Sequence, residues 1–152
     1  MPEQEKIPLS LDIGFGDDPD PRATLGIEPP FVNPEFRFTQ GDVEEMGLFP
    51  IEGVSENLPF RTGSLNFVTS QSVLGGEADL DSGVIEAARV LRSGGTAEMR
   101  ILLDEAEVPE FRRLLRTLPI KDVSFRTRTP RSSPRFEEEF PDPMRLLRFT
   151  KV

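Results

Sequence analysis

The sequence predicts an α/β domain built on a mostly parallel sheet. Three observations carry that prediction. Strand-like and helix-like segments alternate through the middle of the chain, which implies βαβ units. The final two strand-like segments are joined without a helix, so they should pair antiparallel at one edge. A Gly-x-Gly turn, Gly14-Phe15-Gly16, follows the first strand directly.

Each element has a local reason. Ile7 to Ile13 is a short apolar run closed by that glycine turn. Asp17-Asp18-Pro19-Asp20-Pro21 is too rich in proline and acid for a helix interior. Ala23 to Glu28 is a second apolar run, stopped by Pro29-Pro30. Within 31–47, Phe36-Arg37-Phe38-Thr39 alternates like a strand and Asp42 to Met46 could form a helical turn. Phe49 to Val54 reads as a third strand and Leu65 to Ser70 as a fourth. Leu80 to Leu91 has helical spacing in Val84, Ile85, Ala87, Ala88 and Leu91. Asp79 or Asp81 is its N-cap, and Ser93-Gly94-Gly95 reads as its C-terminal cap. Thr96 to Leu103 is a strand. Val108 to Leu118 is a helix with Phe111, Leu114, Leu115 and Leu118 on one face. Val123 to Thr127 and Met144 to Val152 are the last two strands. The count is seven, and residues 1–152 read as one domain.

Composition excludes several chemistries. The 152 residues contain no Cys and no His. Thiol nucleophiles, Ser-His-Asp triads and imidazole-ligated metal sites are therefore excluded, and no metal site is expected. The net charge is −9, from 18 basic and 27 acidic residues. That argues against broad nucleic-acid binding, where phosphate neutralisation supplies most of the affinity. The charge is uneven. Arg112, Arg113, Arg116, Lys121, Arg126, Arg128, Arg131 and Arg135 face a single acid, Asp122, in that stretch. A solvated surface explains the cluster most simply; a patch for an anionic partner is the alternative. Residues 1–6 carry no apolar run and no stretch is long enough to span a bilayer, so a soluble, cytoplasmic protein is expected.

The site should lie where ligands bind in open α/β sheets, beyond the carboxyl ends of the strands at the switch of strand order. Glycines at the end of the first strand let a ligand approach the backbone, and free N–H groups there can hydrogen-bond it. Glu28 ends the second strand, where a carboxylate can accept both hydroxyls of a ribose. The full dinucleotide fingerprint needs a third glycine and a helix under the pyrophosphate. Pro19 stands at that third position, and the acids around it would repel phosphate. A cofactor with a ribose and no phosphates fits better than a dinucleotide such as NAD.

Four segments then resemble one family. Leu11-Asp12-Ile13-Gly14-Phe15-Gly16 resembles the first motif of class I S-adenosylmethionine-dependent methyltransferases (methyltransferase type 11-like), and Glu28 their acid after the second strand. Glu56-Asn57-Leu58-Pro59-Phe60, continuing through Ser64-Leu65-Asn66-Phe67-Val68, resembles the family's E-x-L-P-F-x-x-x-S-F-D-x-V segment. Glu86-Ala87-Ala88-Arg89-Val90-Leu91-Arg92-Ser93-Gly94-Gly95 resembles E-x-x-R-V-L-K-P-G-G. The resemblance implies a Rossmann-like three-layer sandwich with a seven-stranded, mostly parallel sheet and an antiparallel last strand. It implies S-adenosyl-L-methionine as cofactor and methyl transfer to an unidentified acceptor.

The implied cofactor-binding residues are Asp12, Gly14, Phe15, Gly16, Glu28, Asp42, Val54, Ser55, Ser70 and Gln71. Val54 stands where the family has an adenine-reading Asp, and Asp42 is the other candidate for that role. Ser70 and Gln71 end the fourth strand, where the transferred methyl would sit, and could equally be strand-end caps. Asn66 replaces a family Asp. The helix after the glycine loop reads as deleted, and the helices that precede the first strand and cover the substrate in the family are absent here. The chain therefore reads as trimmed and partly degenerate. Two functions follow: a methyltransferase acting on a small-molecule or partner-presented substrate, or a degenerate binding or regulatory subunit. The missing cover would be supplied by a second copy, another subunit or the substrate macromolecule itself. Methyl transfer from a sulfonium is an in-line displacement that needs alignment more than a base. No residue stands out as a base.

Overall fold

The computed structural model describes residues 5–14, 20–28, 47–71, 74, 79–127 and 144–152. Seven strands form one sheet: β1 (Ser10–Ile13), β2 (Leu25–Glu28), β3 (Phe49–Glu52), β4 (Leu65–Gln71), β5 (Leu91–Leu102), β6 (Ile120–Thr127) and β7 (Met144–Lys151). Two α-helices are described, α1 (Leu80–Val90) and α2 (Val108–Thr117). The strand order is β3-β2-β1-β4-β5-β7-β6. β7 runs antiparallel to both neighbours, β5 and β6, and the pairs from β3 through β5 are parallel. The expected antiparallel last pair is present; β7 is inserted between β5 and β6, and β6 takes the edge.

Register sorts the side chains. Leu11 pairs with Val68, Val68 with Ala97 and Ala97 with Phe149, so these share one face. With Ile13, Met99, Ile101 and Leu147 they are buried there under Val84, Ala87 and Ala88 of α1 and Phe111 and Leu115 of α2. Both helices sit on this face because β4→β5 and β5→β6 step the same way along the sheet and parallel crossovers are right-handed. Phe111 packs on Phe125 with ring centroids 5.6 Å apart. On the opposite face of β5, Thr96 and Arg100 are exposed while Ala97, Met99 and Ile101 are buried. That is the two-residue alternation of a strand wet on one side. The layer expected on that second face falls outside the described residues, as do the strand expected at 36–39 and the turn at 42–46.

One local expectation is corrected. Ser93-Gly94-Gly95 does not cap the helix. α1 ends at Val90, and the N–H of Leu91 already donates to the Ala87 carbonyl. Leu91 pairs with Leu65 and Thr96 with Phe67, so residues 92–95 bulge out within β5. Gly94, at φ +83, turns that bulge. At the other end, Asp79 is the N-cap, accepting from the Ser82 N–H at 2.9 Å.

The basic cluster divides. Arg112 lies over the Phe125 ring at 5.1 Å, while Lys121 and Arg126 are exposed on edge strand β6. A bulge between Lys121 and Ser124, with Asp122 at φ +53, distorts that edge. Charge and bulges are how sheet edges avoid pairing with other chains. Arg128, Arg131 and Arg135 lie outside the described residues.

Candidate functional site

The chain steps from β1 to β2 and β3 in one direction, then returns to β4 on the other side of β1. The switch of strand order is therefore between β1 and β4. β1 ends at Ile13, and Gly14 turns away at φ +62, a conformation that favours glycine. Asp12 is fully buried, and its Oδ2 accepts from the Asp20 N–H at 2.8 Å. That bond ties the two ends of the turn together. Ser70, paired with Ile13 across the switch, is also fully buried. Its hydroxyl donates to the Ile13 carbonyl at 3.1 Å. Of the two readings open for Ser70, this bond fits the strand-end cap.

The expectation of a free N–H at Gly14 is corrected. That group donates to the Ile27 carbonyl at 3.0 Å, extending the β1–β2 ladder by one bond.

Glu28 ends β2, opposite Glu52 of β3 and one residue beyond the Ile13–Ile27 pair. Gln71 ends β4, opposite Arg100. The backbones of both reach the carboxyl rim of the sheet; their side chains are outside the described set. Phe15, Gly16 and Asp42 lie outside the described residues altogether. Val54 is 40% exposed and forms an isolated bridge with Asn57. Ser55 is 5% exposed, and its Oγ is buried with no hydrogen-bond partner among the described residues. The structure thus brings Asp12, Gly14 and Ser70 together at the switch. It places the end of Glu28 one strand away and the Val54–Ser55 loop after the next.

The Leu58-Pro59-Phe60 segment is held from below. Glu86 of α1 accepts from the Leu58 N–H at 2.8 Å. Arg89 donates to the Leu58 carbonyl at 3.0 Å and the Phe60 carbonyl at 2.9 Å. It also pairs with Glu86. Hydrogen bonding from Arg89 holds the Glu86 carboxyl below its ordinary range, and Glu86 in turn raises Arg89. The two motifs legible in the sequence are therefore parts of one clamp.

A second cluster was not foreseen. Arg22 donates to both carboxylate oxygens of Asp20, at 3.0 and 2.7 Å, and to Glu98 of β5 at 2.8 Å. It also lies 4.7 Å over the Phe67 ring. Nothing in the local sequence marks this contact, because Arg22 and Glu98 are 76 residues apart. Burial would raise the Asp20 carboxyl, but the bonds from Arg22 outweigh it and leave the group below its ordinary value. A carboxyl depressed by folding contributes stability above its unfolded pKa and loses it as pH falls through the folded value. Asp20→Asn should therefore lower the melting temperature at pH 7. The gap from wild type should close as the pH drops below about 4, the ordinary carboxylate range. A gap that stays constant down to acid pH contradicts the assignment.

Among the described residues no group of three or more His, Cys, Asp or Glu could hold a metal ion, and no helix is long and apolar enough to cross a membrane.

Residues 28–99 match the family model described as a methyltransferase domain. No curated protein matches the chain in sequence. Solved structures match nearly all of it in fold. A SAM-dependent methyltransferase from Thermotoga maritima aligns at TM-score 0.62 and 19% identity, over 94% of this chain and 82% of that one. A methyltransferase in complex with the Haloferax volcanii Trm112 methyltransferase activator aligns at TM-score 0.64 and 17% identity, over 93% and 81%. The [4+2]-cyclase SpnF aligns at TM-score 0.70 and 15% identity, over 93% and 74%. The chain therefore has the fold of class I S-adenosylmethionine-dependent methyltransferases, and its middle, residues 28–99, is similar to the methyltransferase-domain family model.

Proposed function

We propose that this single domain binds S-adenosyl-L-methionine across the carboxyl ends of β1, β2 and β3 and directs its methyl group to an acceptor held by a partner. The observation that carries the reading is the glycine turn at the β1/β4 switch, closed by the buried Asp12. Asp12 fixes the turn and adds negative charge beneath it, which favours a cationic sulfonium. Glu28, at the end of β2, accepts from the ribose hydroxyls. The Ser55 hydroxyl, buried without a hydrogen-bond partner among the described residues, supports a polar lining beyond β3. When bound, the cofactor supplies an activated methyl, and the chain supplies alignment at the switch. Phe15, Gly16, Asp42, Val54 and Gln71 complete the proposed lining.

The crevice has no cover among the described residues, and an open site neither excludes solvent nor positions an acceptor. A second copy or another subunit therefore closes it. The neighbour solved with a methyltransferase activator supports that arrangement. The proposed compartment is the cytoplasm.

A binding or regulatory role is the second reading. Ser70, one of the two groups proposed beside the methyl, is buried and spends its hydroxyl on Ile13. The cyclase neighbour also indicates that this fold serves more than one chemistry.

Calorimetry with S-adenosylmethionine and S-adenosylhomocysteine tests the proposal. Glu28→Ala should weaken S-adenosylhomocysteine roughly tenfold, the scale of a hydrogen bond to a charged group. No heat from wild type at millimolar concentration sinks the cofactor reading.

A further inference from the structure

We infer that the carboxyl rim between α2 and the β6–β7 pair is a binding site for an oxyanion, a carboxylate or a phosphate, held by Arg145 and Arg112, and that the methyl acceptor carries this group. The acceptor assignment rests on the cofactor reading above; the anion site does not.

The starting point is a buried cation without a counter-charge. Arg145, at the start of β7, is 7% exposed. Its Nε donates to the Leu103 carbonyl at 3.1 Å, and its guanidinium lies 5.7 Å from the centre of the Phe125 ring. No carboxylate pairs with it among the described residues. Less buried arginines are better matched: Arg22 pairs with Asp20 and Glu98, and Arg89 with Glu86. Even the exposed Arg148 approaches Glu98. Taking a charge out of water is costly unless an opposite charge offsets it.

A second cation shares the ring. Arg112 of α2 is exposed and lies 5.1 Å over Phe125. It belongs to the basic stretch for which the sequence left an anionic partner open. It too has no carboxylate partner among the described residues. Two guanidiniums on one ring repel each other, and an anion between them reverses that. Acids are close in sequence: Asp104, Glu105, Glu107 and Glu110 run from the end of β5 into the first turn of α2. All four are exposed, and none pairs with either arginine. The chain has carboxylates at hand and does not place them here.

Register puts Arg145 at the crevice. β4 ends at Gln71, opposite Arg100. Arg145 pairs with Ile101 of β5, one residue beyond that row, and with Thr127 of β6. Its side chain leans further the same way, since the Leu103 carbonyl that it reaches is two residues past Ile101. Its Nη groups make no hydrogen bond among the described residues and keep contact with solvent. β5 and β7 thus stand above the end of β4 as a wall, with the guanidinium near its top. Two strand spacings, about 10 Å, separate β4 from β7. A small-molecule acceptor with its nucleophile beside the methyl at the end of β4 spans that distance. An arginine fork takes carboxylate or phosphate oxygens in pairs. A neutral or cationic acceptor would leave Arg145 uncompensated.

The test is thermal unfolding of the whole chain in sodium phosphate, sodium acetate and sodium chloride at matched ionic strength, for wild type, Arg112→Ala and Arg145→Met. At about ten times its dissociation constant, the favoured oxyanion should raise the wild-type melting temperature by about 3–5 °C over chloride. The arm with the larger rise identifies the group as phosphate or carboxylate. Arg112→Ala removes an exposed side chain, so it should melt within about 2 °C of wild type in chloride and lose most of the rise. Arg145→Met keeps an apolar stem and should lose all of it. Equal rises in the three proteins would mean a general salt effect and overturn the site, as would no rise in wild type. The same melts in saturating S-adenosylhomocysteine separate acceptor from cofactor. The rise should persist there. Its loss means that the cofactor's own carboxylate fills the site, and overturns the acceptor assignment. Wild type that binds no S-adenosylhomocysteine overturns the cofactor reading and the acceptor assignment together, while the anion rise still decides the site.

Discussion

Gly95→Ala is expected to lower the melting temperature by about 6–12 °C, the equivalent of about 3 kcal/mol for a domain of this size. The cause is space. A Cβ on Gly95 would stand 2.9 Å from the Arg92 carbonyl oxygen and 3.1 Å from that of Asn66. Both obstacles are backbone, so neither can rotate away. Asn66 belongs to β4, and the clash therefore pushes on the β4–β5 pairing at the bulge. The neighbouring glycine is a control with a different cause. Gly94 has nothing within 4 Å of its ideal Cβ, but its φ is +83. Gly94→Ala should cost only about 1 kcal/mol, the ordinary penalty of a left-handed residue. Thermal or denaturant unfolding of the two variants checks the order. If Gly94→Ala proves the more damaging, the bulge is not packed as described.

The sheet is legible in the sequence and most of the candidate site is not, for separate physical reasons. Strand and helix types followed from periodicity: Val84, Ala87 and Ala88 mark one helical face, and Phe111 and Leu115 another. Such patterns report burial, which the chain must satisfy locally. β6 began three residues before its expected start, at Ile120, because Lys121 and Asp122 are poor strand formers that pairing with β7 overrides. Gly94 and Gly95 read as a helix cap but instead bulge β5. A pair of glycines after a helix looks the same whether it caps that helix or bulges the next strand.

The candidate site is legible only where it coincides with backbone geometry. Asp12 and Gly14 stand at the switch, as the first motif suggested, because a strand end followed by glycine is visible in a string of residues. Hydrogen-bond direction is not. The turn of the Ser70 hydroxyl toward Ile13, the occupied N–H of Gly14 and the lack of a partner at Ser55 depend on the distance between segments far apart in sequence. The Arg22 bridge from Asp20 to Glu98 was illegible for the same reason. It replaces apolar packing by charge on the wetter face of β5, where Arg148 also approaches Glu98 at 3.6 Å.

Arg89→Ala is expected to be the other severe change, destabilising by about 3 kcal/mol, and Arg89→Lys should recover little of the loss. The guanidinium serves four acceptors at once: the carbonyls of Leu58 and Phe60, the Thr62 hydroxyl and the carboxylate of Glu86. A lysine ammonium cannot present that planar fork. The ion pair by itself would deserve less weight, since its side chains are 32% and 13% exposed and solvent screens them. The larger part comes from the two carbonyls left without a donor and from the release of the Leu58–Phe60 segment. Glu86→Gln separates these contributions. It keeps an acceptor for the Leu58 N–H and removes only the charge, so it should cost about 1 kcal/mol. The double variant Arg89→Ala with Glu86→Gln should be less destabilised than the sum of the singles, because one loss is shared. Denaturant unfolding of the four proteins measures the coupling. Strict additivity would mean that Arg89 and Glu86 act separately, and the clamp joining the two sequence motifs would have to be abandoned.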